Sequence, residues 1–112
     1  LPENEIHELG LLYLNYELNL SGNNTIYLGQ SLPFDNLNYF LKSKIEYCFI
    51  TYLTIMPYDS KVKEYFQEAD ALLKDSKAEF IAIGRKTDLV NNCNFESNIK
   101  LYKSVSDLLK EL

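Results

Sequence analysis

The hydrophobic positions of the chain change their spacing repeatedly, and each spacing predicts one kind of element. Four segments have apolar residues every three or four positions, which predicts helices. Gly22 is a plausible stop for the first helix, Pro33 starts the second, and Ser104 with Asp107 resembles a capping box for the last. The predicted inward faces are Leu9, Leu12, Tyr13 and Tyr16; Phe34, Leu37, Phe40 and Leu41; Val62, Tyr65, Phe66, Ala69, Leu72 and Leu73; and Val105, Leu108, Leu109 and Leu112.

Four shorter segments are rich in β-branched and aromatic residues, and these predict strands over Thr25–Gly29, Tyr47–Ile55, Glu79–Gly84 and Ile99–Tyr102. The strand over Tyr47–Ile55 is apolar almost throughout, so we expect it to be buried on both faces at the centre of a sheet. Helices and strands take turns along the chain. This alternation predicts an α/β fold, in which a parallel sheet carries helices on both faces in three layers.

Composition narrows the classes of protein that fit. The 112 residues form one domain, 1–112, with 46% hydrophobic residues but no apolar run as long as the roughly 20 residues of a membrane span. The net charge is −5 and the basic residues are dispersed, which argues against direct contact with nucleic acid. Cys48 and Cys93 form no CxxC pair, so we expect a soluble cytoplasmic domain. We also expect it to be a fragment of a longer chain, because it begins at Leu1 without a signal-like segment.

Candidate binding residues cluster at one edge of the predicted sheet. In a parallel sheet, ligands bind beyond the carboxyl ends of the strands. The loop after Gly29, the end of the central strand at Thr51–Thr54, and Gly84-Arg85 should meet there. Glu5 and the only histidine, His7, would join them if a strand precedes the first helix. A lone histidine at a helix start is usually an ordinary surface residue, so its neighbours decide its role.

These residues resemble the motifs of cobalamin-binding domains, Asp-x-His-x-x-Gly, Ser-x-Leu and Gly-Gly. The corresponding stretches are Glu5-x-His7-x-x-Gly10, Leu28-Gly29 with Pro33 four residues on, Thr51-x-Leu53, and Gly84. Their spacing agrees with the family, and the resemblance covers essentially the whole chain. More narrowly, "ENEIHELGLLYLNYEL" and "TIYLGQSLP" are similar to effector domains of bacterial MerR-type transcription regulators, where Glu often replaces the Asp of the enzymes.

The resemblance implies a flavodoxin-like or Rossmann-like cobalamin-binding fold whose first strand is absent from this sequence, with a DNA-binding region upstream in the parent chain. It implies cobalamin as cofactor and His7 as the ligand of its cobalt, with Glu5 orienting the imidazole. Arg85 replaces the second glycine of the family. It could fill the slot for the nucleotide tail, or pair with the tail's phosphate. The implied cofactor-binding residues are Glu5, His7, Gly10, Gly29, Thr51, Leu53, Gly84 and Arg85.

Three functions follow from these observations. The first is a sensor without enzymatic activity, which binds cobalamin and passes its state to the upstream DNA-binding domain of a MerR-family regulator. The second is a degenerate sensor that has lost the cofactor and serves oligomerisation, as a homo-oligomer, or partner binding. The third, and the least favoured, is the cobalamin module of a methyltransferase or mutase, because Glu5 stands where those enzymes have Asp. No membrane association is expected.

Overall fold

The computed structural model describes residues 1–111 as a three-stranded parallel sheet with helices on both faces. This confirms the predicted α/β class and the parallel sheet, and the arrangement is compatible with a flavodoxin-like fold. The prediction for Leu112 lies outside the described residues. In chain order, the elements are α1 (Leu9–Leu20), a 3₁₀ turn (Phe34–Leu37) continuing into α2 (Asn38–Leu41), β1 (Cys48–Tyr52), α3 (Asp59–Leu73), β2 (Glu79–Ile83), a second 3₁₀ segment (Arg85–Val90), β3 (Asn98–Tyr102) and α4 (Val105–Leu109).

The sheet has the order β1-β2-β3 and separates two hydrophobic cores. On one face, Val62, Phe66, Ala69 and Leu73 of α3 pack at helical spacing beneath Phe80 and Ala82 of β2. On the other face, α1 and α4 cover Ile81 and Ile83 of the same strand. β2 is therefore buried on both sides, as its nearly continuous apolar sequence requires. Within residues 1–111, no helix is both long and apolar enough to cross a membrane.

β1 lies at an edge of the sheet, so the prediction of a central strand over Tyr47–Ile55 is wrong. The Tyr47 carbonyl and the Leu53 N–H both bond to β2, so the odd-numbered residues of β1 turn their backbone groups toward that strand. The even-numbered residues turn theirs the other way. Within residues 1–111 no strand pairs with these outward groups, which belong to Cys48, Ile50 and Tyr52.

The predicted strand over Thr25–Gly29 is also absent as a strand. The segment is extended and its side chains alternate: Tyr27 packs into the core beside α1, while Ile26 and Leu28 are exposed. The physical reason is that a strand requires a ladder partner, and within the described residues none runs beside this segment. The sheet therefore has three strands rather than the four that the sequence predicts.

Helix α1 is where predicted, but its inward face is not. The structure buries Leu11 and Leu14, with Leu18 packed beside them. The predicted face of Leu9, Leu12, Tyr13 and Tyr16 is the exposed one. The helix is apolar on both sides, so hydrophobic spacing alone could not choose between them. By contrast α4 agrees with the prediction, since Ser104 Oγ accepts the Asp107 N–H at 3.1 Å and Leu108 is buried.

Candidate functional site

The loops at the carboxyl edge of the sheet meet at the segment before α1. The Ser31 N–H donates to the Glu5 carbonyl at 3.0 Å, which joins the loop after Gly29 to this segment. The loop that follows β1 approaches from the other side, through backbone N–H groups that reach the Glu5 side chain. Segments far apart in sequence therefore converge on Glu5, although within residues 1–111 no strand precedes α1.

Glu5 is an almost completely buried carboxylate, with 1% of its surface exposed. Its Oε1 accepts the N–H groups of Ile55 at 2.6 Å and Met56 at 2.8 Å. Its Oε2 accepts the N–H groups of Ile6 at 2.9 Å and His7 at 3.0 Å, as well as the His7 ring at 2.8 Å. Both oxygens are thus satisfied, and the carboxylate ties the segment before α1 to the loop after β1.

These hydrogen bonds decide the charge state of Glu5. Burial acts to raise the pKa of the carboxyl group, because it disfavours the charged form. The N–H groups of His7, Met56 and Ile55, together with the His7 ring, favour the charged form and outweigh burial. The net result lowers the pKa from 4.5 to about 2. Glu5 is therefore ionised at neutral pH and can only accept hydrogen bonds from the His7 ring.

His7 is held by one ring nitrogen and leaves the other one free. Because the Glu5 carboxylate accepts from Nδ1, the neutral imidazole carries its proton there and keeps a lone pair on Nε2. The side chain is 52% exposed at the edge of the sheet. This is the arrangement in which a carboxylate fixes the tautomer of a metal-ligating histidine. Among residues 1–111, no three histidine, cysteine or carboxylate side chains converge on a metal site.

Lys86 is a second organising residue, which no pattern in the sequence indicates. Its Nζ donates to the carbonyls of Ile55 at 2.6 Å and Pro57 at 2.8 Å, and it also contacts Asp59 at 3.0 Å. The side chain is only 17% exposed. Lys86 therefore holds the loop after β1 from the side opposite Glu5. The sequence signal was weak, because a lysine that follows a strand usually lies in solvent.

Gly84 is required by the close approach of β1. Its φ is +126°, and a Cβ at this position would collide with the Leu53 carbonyl oxygen. The backbone contact with Leu53 therefore explains this glycine without any ligand. Arg85, which follows it, is exposed and makes no ion pair or side-chain hydrogen bond within residues 1–111. Its guanidinium is free to reach an anion or to occupy nearby space.

Gly10 lies on one face of the sheet, whereas the side chains of Thr51 and Leu53 lie on the other. The Tyr52 ring packs against Gly10, where a Cβ would lie 2.8 Å from the ring. Tyr52 therefore fills the space between β1 and the start of α1. Thr51 points to the opposite face, as alternation along a strand dictates. The structure brings Glu5 and His7 together, and separates the Thr51 hydroxyl from Gly10.

The Thr51 hydroxyl is buried and lacks a hydrogen-bond partner. The residue is 6% exposed, and no polar group among residues 1–111 bonds to its Oγ1. Tyr65 of α3 lies close enough that the Thr51 hydroxyl acts to lower the pKa of the tyrosine. The geometry between the two side chains is nevertheless not that of a hydrogen bond. Buried hydroxyls are normally satisfied, so this unpaired oxygen is a candidate contact for a ligand.

An open cavity of about 380 Å³ lies between the residues before α1 and the start of α3, and neither Glu5 nor His7 lines it. Its volume is at the low end of small-molecule sites. Gly29 has a φ of +80°, and its carbonyl accepts a hydrogen bond from the Leu1 nitrogen at 2.8 Å. The cavity walls include Pro2, Glu3, Asn4, Phe34, Met56 and Tyr65.

Comparisons with protein-family models, curated proteins and solved structures found no match for this chain.

Proposed function

We propose that this chain is the ligand-sensing domain of a bacterial MerR-type transcription regulator, and that it binds a cobalamin through His7. One observation carries the proposal: the buried Glu5 carboxylate holds Nδ1 of His7 at 2.8 Å, and the half-exposed side chain keeps Nε2 for coordinating a metal. The domain itself performs no reaction in this proposal. Its role is to pass the bound state to a DNA-binding region elsewhere in the parent chain.

The ligand set favours a metal that arrives already chelated. His7 is the only histidine, and within residues 1–111 it belongs to no group of three or more potential metal ligands. One imidazole is too few donors for a bare divalent ion, which proteins hold with three or four side chains. A corrin supplies the equatorial nitrogens itself, so a single axial histidine is sufficient. Cobalamin meets this requirement.

The other implied residues fit the cofactor unequally. The unpaired Thr51 hydroxyl offers a buried polar contact, and Arg85 is free to pair with a phosphate. Tyr52 argues against the cofactor, because its ring already fills the space between β1 and Gly10 at the start of α1. Gly84 is explained by its contact with Leu53 and gives no support in either direction.

The Tyr52 contact favours a second candidate function, a sensor domain that has lost cobalamin and retains a role in oligomerisation or partner binding. In this case Glu5 and His7 serve the fold alone, since Glu5 joins the segment before α1 to the loop after β1. The module of a methyltransferase or mutase gains no support from any contact described above.

The test is a visible-absorbance titration in the dark with hydroxocobalamin, adenosylcobalamin and cobinamide, which lacks the nucleotide tail. We expect the wild-type chain to shift the corrin bands toward those of imidazole-ligated cobalt, and the His7→Ala variant to leave them unchanged. The Tyr52→Gly variant removes the ring that fills the space beside Gly10, so its titration shows whether that ring hinders cobalamin binding.

The outcomes separate the two candidates. Binding that depends on His7 supports the sensor. A wild-type chain that binds neither cobalamin nor cobinamide overturns it. If only cobinamide binds to the wild type, and cobalamin binds to Tyr52→Gly, then the metal site is intact and Tyr52 excludes the tail, which supports the degenerate sensor.

A further inference from the structure

Helix α1 presents an apolar stripe to solvent on the side opposite the core. Leu9 is 81% exposed, Tyr13 52%, Tyr16 60% and Leu20 66%. These residues follow one another at intervals of four, three and four, so they lie on one line along the helix. This is the spacing of the alternating d and a positions that face a partner in a two-helix interface. A helix that is apolar on both sides is normally covered on both sides.

The stripe has the same order of residues in both directions: leucine, tyrosine, tyrosine, leucine. In a pair of helices related by a two-fold axis, each residue meets a counterpart reflected through the middle of the interface. If the axis passes beside the middle of α1, then Leu9 meets Leu20 of the second copy. Tyr13 likewise meets Tyr16 of the second copy, so side chains of like size and character face one another.

We propose that α1 packs antiparallel against α1 of a second copy of this chain, through the stripe formed by Leu9, Tyr13, Tyr16 and Leu20. The interface stands independently of any cofactor, because none of these residues belongs to the site around Glu5 and His7. Its two-fold symmetry closes the assembly at a dimer.

The charges near the stripe permit this pairing. Glu17 is the only charged residue in α1. In the antiparallel arrangement Glu17 lies opposite Leu12 of the second copy. The two Glu17 residues are separated by about 7 Å along the helix axes and by about 8–10 Å, the interaxial distance, across them. Their separation exceeds a Debye length of about 8 Å at physiological salt, so their repulsion is largely screened.

The exposed area of the stripe is sufficient for a specific dimer. Together with Leu12, which is 43% exposed at its flank, the stripe amounts to the full surface of about three large residues. At about 200 Å² for a large side chain, each copy offers about 600 Å². Two copies would bury about 1,200 Å², which reaches the lower end of specific protein–protein interfaces.

Sedimentation velocity over a concentration series tests the proposal, with the chain free of any cofactor. We expect the mass to rise with concentration from 13.0 kDa toward twice that value. Tyr16→Glu should weaken self-association by about 10-fold or more, because it places a charge at the centre of the interface. Tyr39→Glu is the matched control, since Tyr39 is 80% exposed on α2, away from the stripe. A wild-type chain that stays monomeric at every concentration overturns the proposal.

Disulfide cross-linking then tests the antiparallel geometry, in a background where Cys48 and Cys93 are replaced by Ser and Ala. A mixture of Leu9→Cys and Leu20→Cys chains should form a mixed disulfide, because these positions face each other. Leu9→Cys alone should not cross-link, since its two copies lie about 16 Å apart along the axes and a disulfide needs Cα atoms within about 7 Å. Cross-linking of Leu9→Cys alone, without the mixed product, would refute the antiparallel pairing.

Discussion

Replacing Glu5 with glutamine tests how the candidate site is held together. The substitution keeps the shape of the side chain but removes its charge and exchanges one acceptor oxygen for an NH₂ donor. That NH₂ group would face backbone N–H groups from either the loop after β1 or the segment before α1. Two donors then oppose each other in a site with 1% exposure, where water cannot relieve the conflict.

The structure provides a magnitude for this loss. The pKa of Glu5 falls from 4.5 to about 2, against the effect of burial, and a shift of this size corresponds to about 3 kcal/mol of stabilisation of the folded state. Because the folded-state pKa is the lower one, this stabilisation is fully present above pH 4.5. It is lost as the pH falls through the interval from about 4.5 to about 2, where the carboxylate becomes protonated.

Urea denaturation followed by circular dichroism measures the effect. At pH 7 we expect Glu5→Gln to lower the free energy of unfolding by about 3 kcal/mol. The difference from wild type should shrink as the pH is lowered from 4.5 toward 2, because the wild-type carboxyl then loses its charge as well. Glu64→Gln is the control: its exposed pair with Lys61 should be worth less than about 1 kcal/mol. A loss at Glu5 no larger than that of the control, or one that does not change with pH, would refute this reasoning.

Four further substitutions have definite expected outcomes in the same urea assay. Gly84→Ala should lower the free energy of unfolding by more than about 3 kcal/mol, since it adds a collision with Leu53 to an unfavourable φ. Gly22→Ala, which has open space around it, should lower the free energy of unfolding by only about 1 kcal/mol. Lys86→Met should lose about 1–3 kcal/mol, because two backbone carbonyls lose a charged donor. Ser104→Ala should lose about 1 kcal/mol through the missing helix cap. Equal losses for the two glycine variants, or none at Lys86 or Ser104, would contradict these assignments.

The sequence predicts where the helices lie, but it assigns the buried central position to Tyr47–Ile55, whereas the structure gives that position to β2. Helix α3 shows one apolar stripe and packs as predicted. Helix α1 has leucines on both sides, so the periodicity was ambiguous and the wrong face was chosen. The segment Thr25–Gly29 has the composition of a strand, but strand formation depends on a neighbouring backbone, which composition does not encode.

The candidate site was predictable to the extent that it depends on loop order. Parallel topology brings the loops after successive strands to one edge, but Glu5 was expected there only if a strand precedes α1, and within residues 1–111 none does. The N–H groups of Ile55 and Met56, which the sequence does not reveal as partners, bring Glu5 to the loop after β1. The separation of Thr51 from Gly10 follows from strand alternation together with the face of the sheet that α1 covers, and the sequence makes no prediction of that face. Lys86 could not be identified, because its partners are backbone carbonyls, which leave no trace in the sequence.

The free edge of β1 has a consequence for the dynamics of the site. Within residues 1–111, β1 is held by hydrogen bonds to one neighbouring strand, whereas β2 is held by two, so β1 opens at a lower free energy than β2. The loop after β1 supplies two of the N–H groups that bind the Glu5 carboxylate. Local opening of this strand therefore loosens Glu5, and with it the orientation of His7, while β2 and β3 stay folded. Amide hydrogen exchange would record this as weak protection at Ile55 and Met56 beside strong protection in β2.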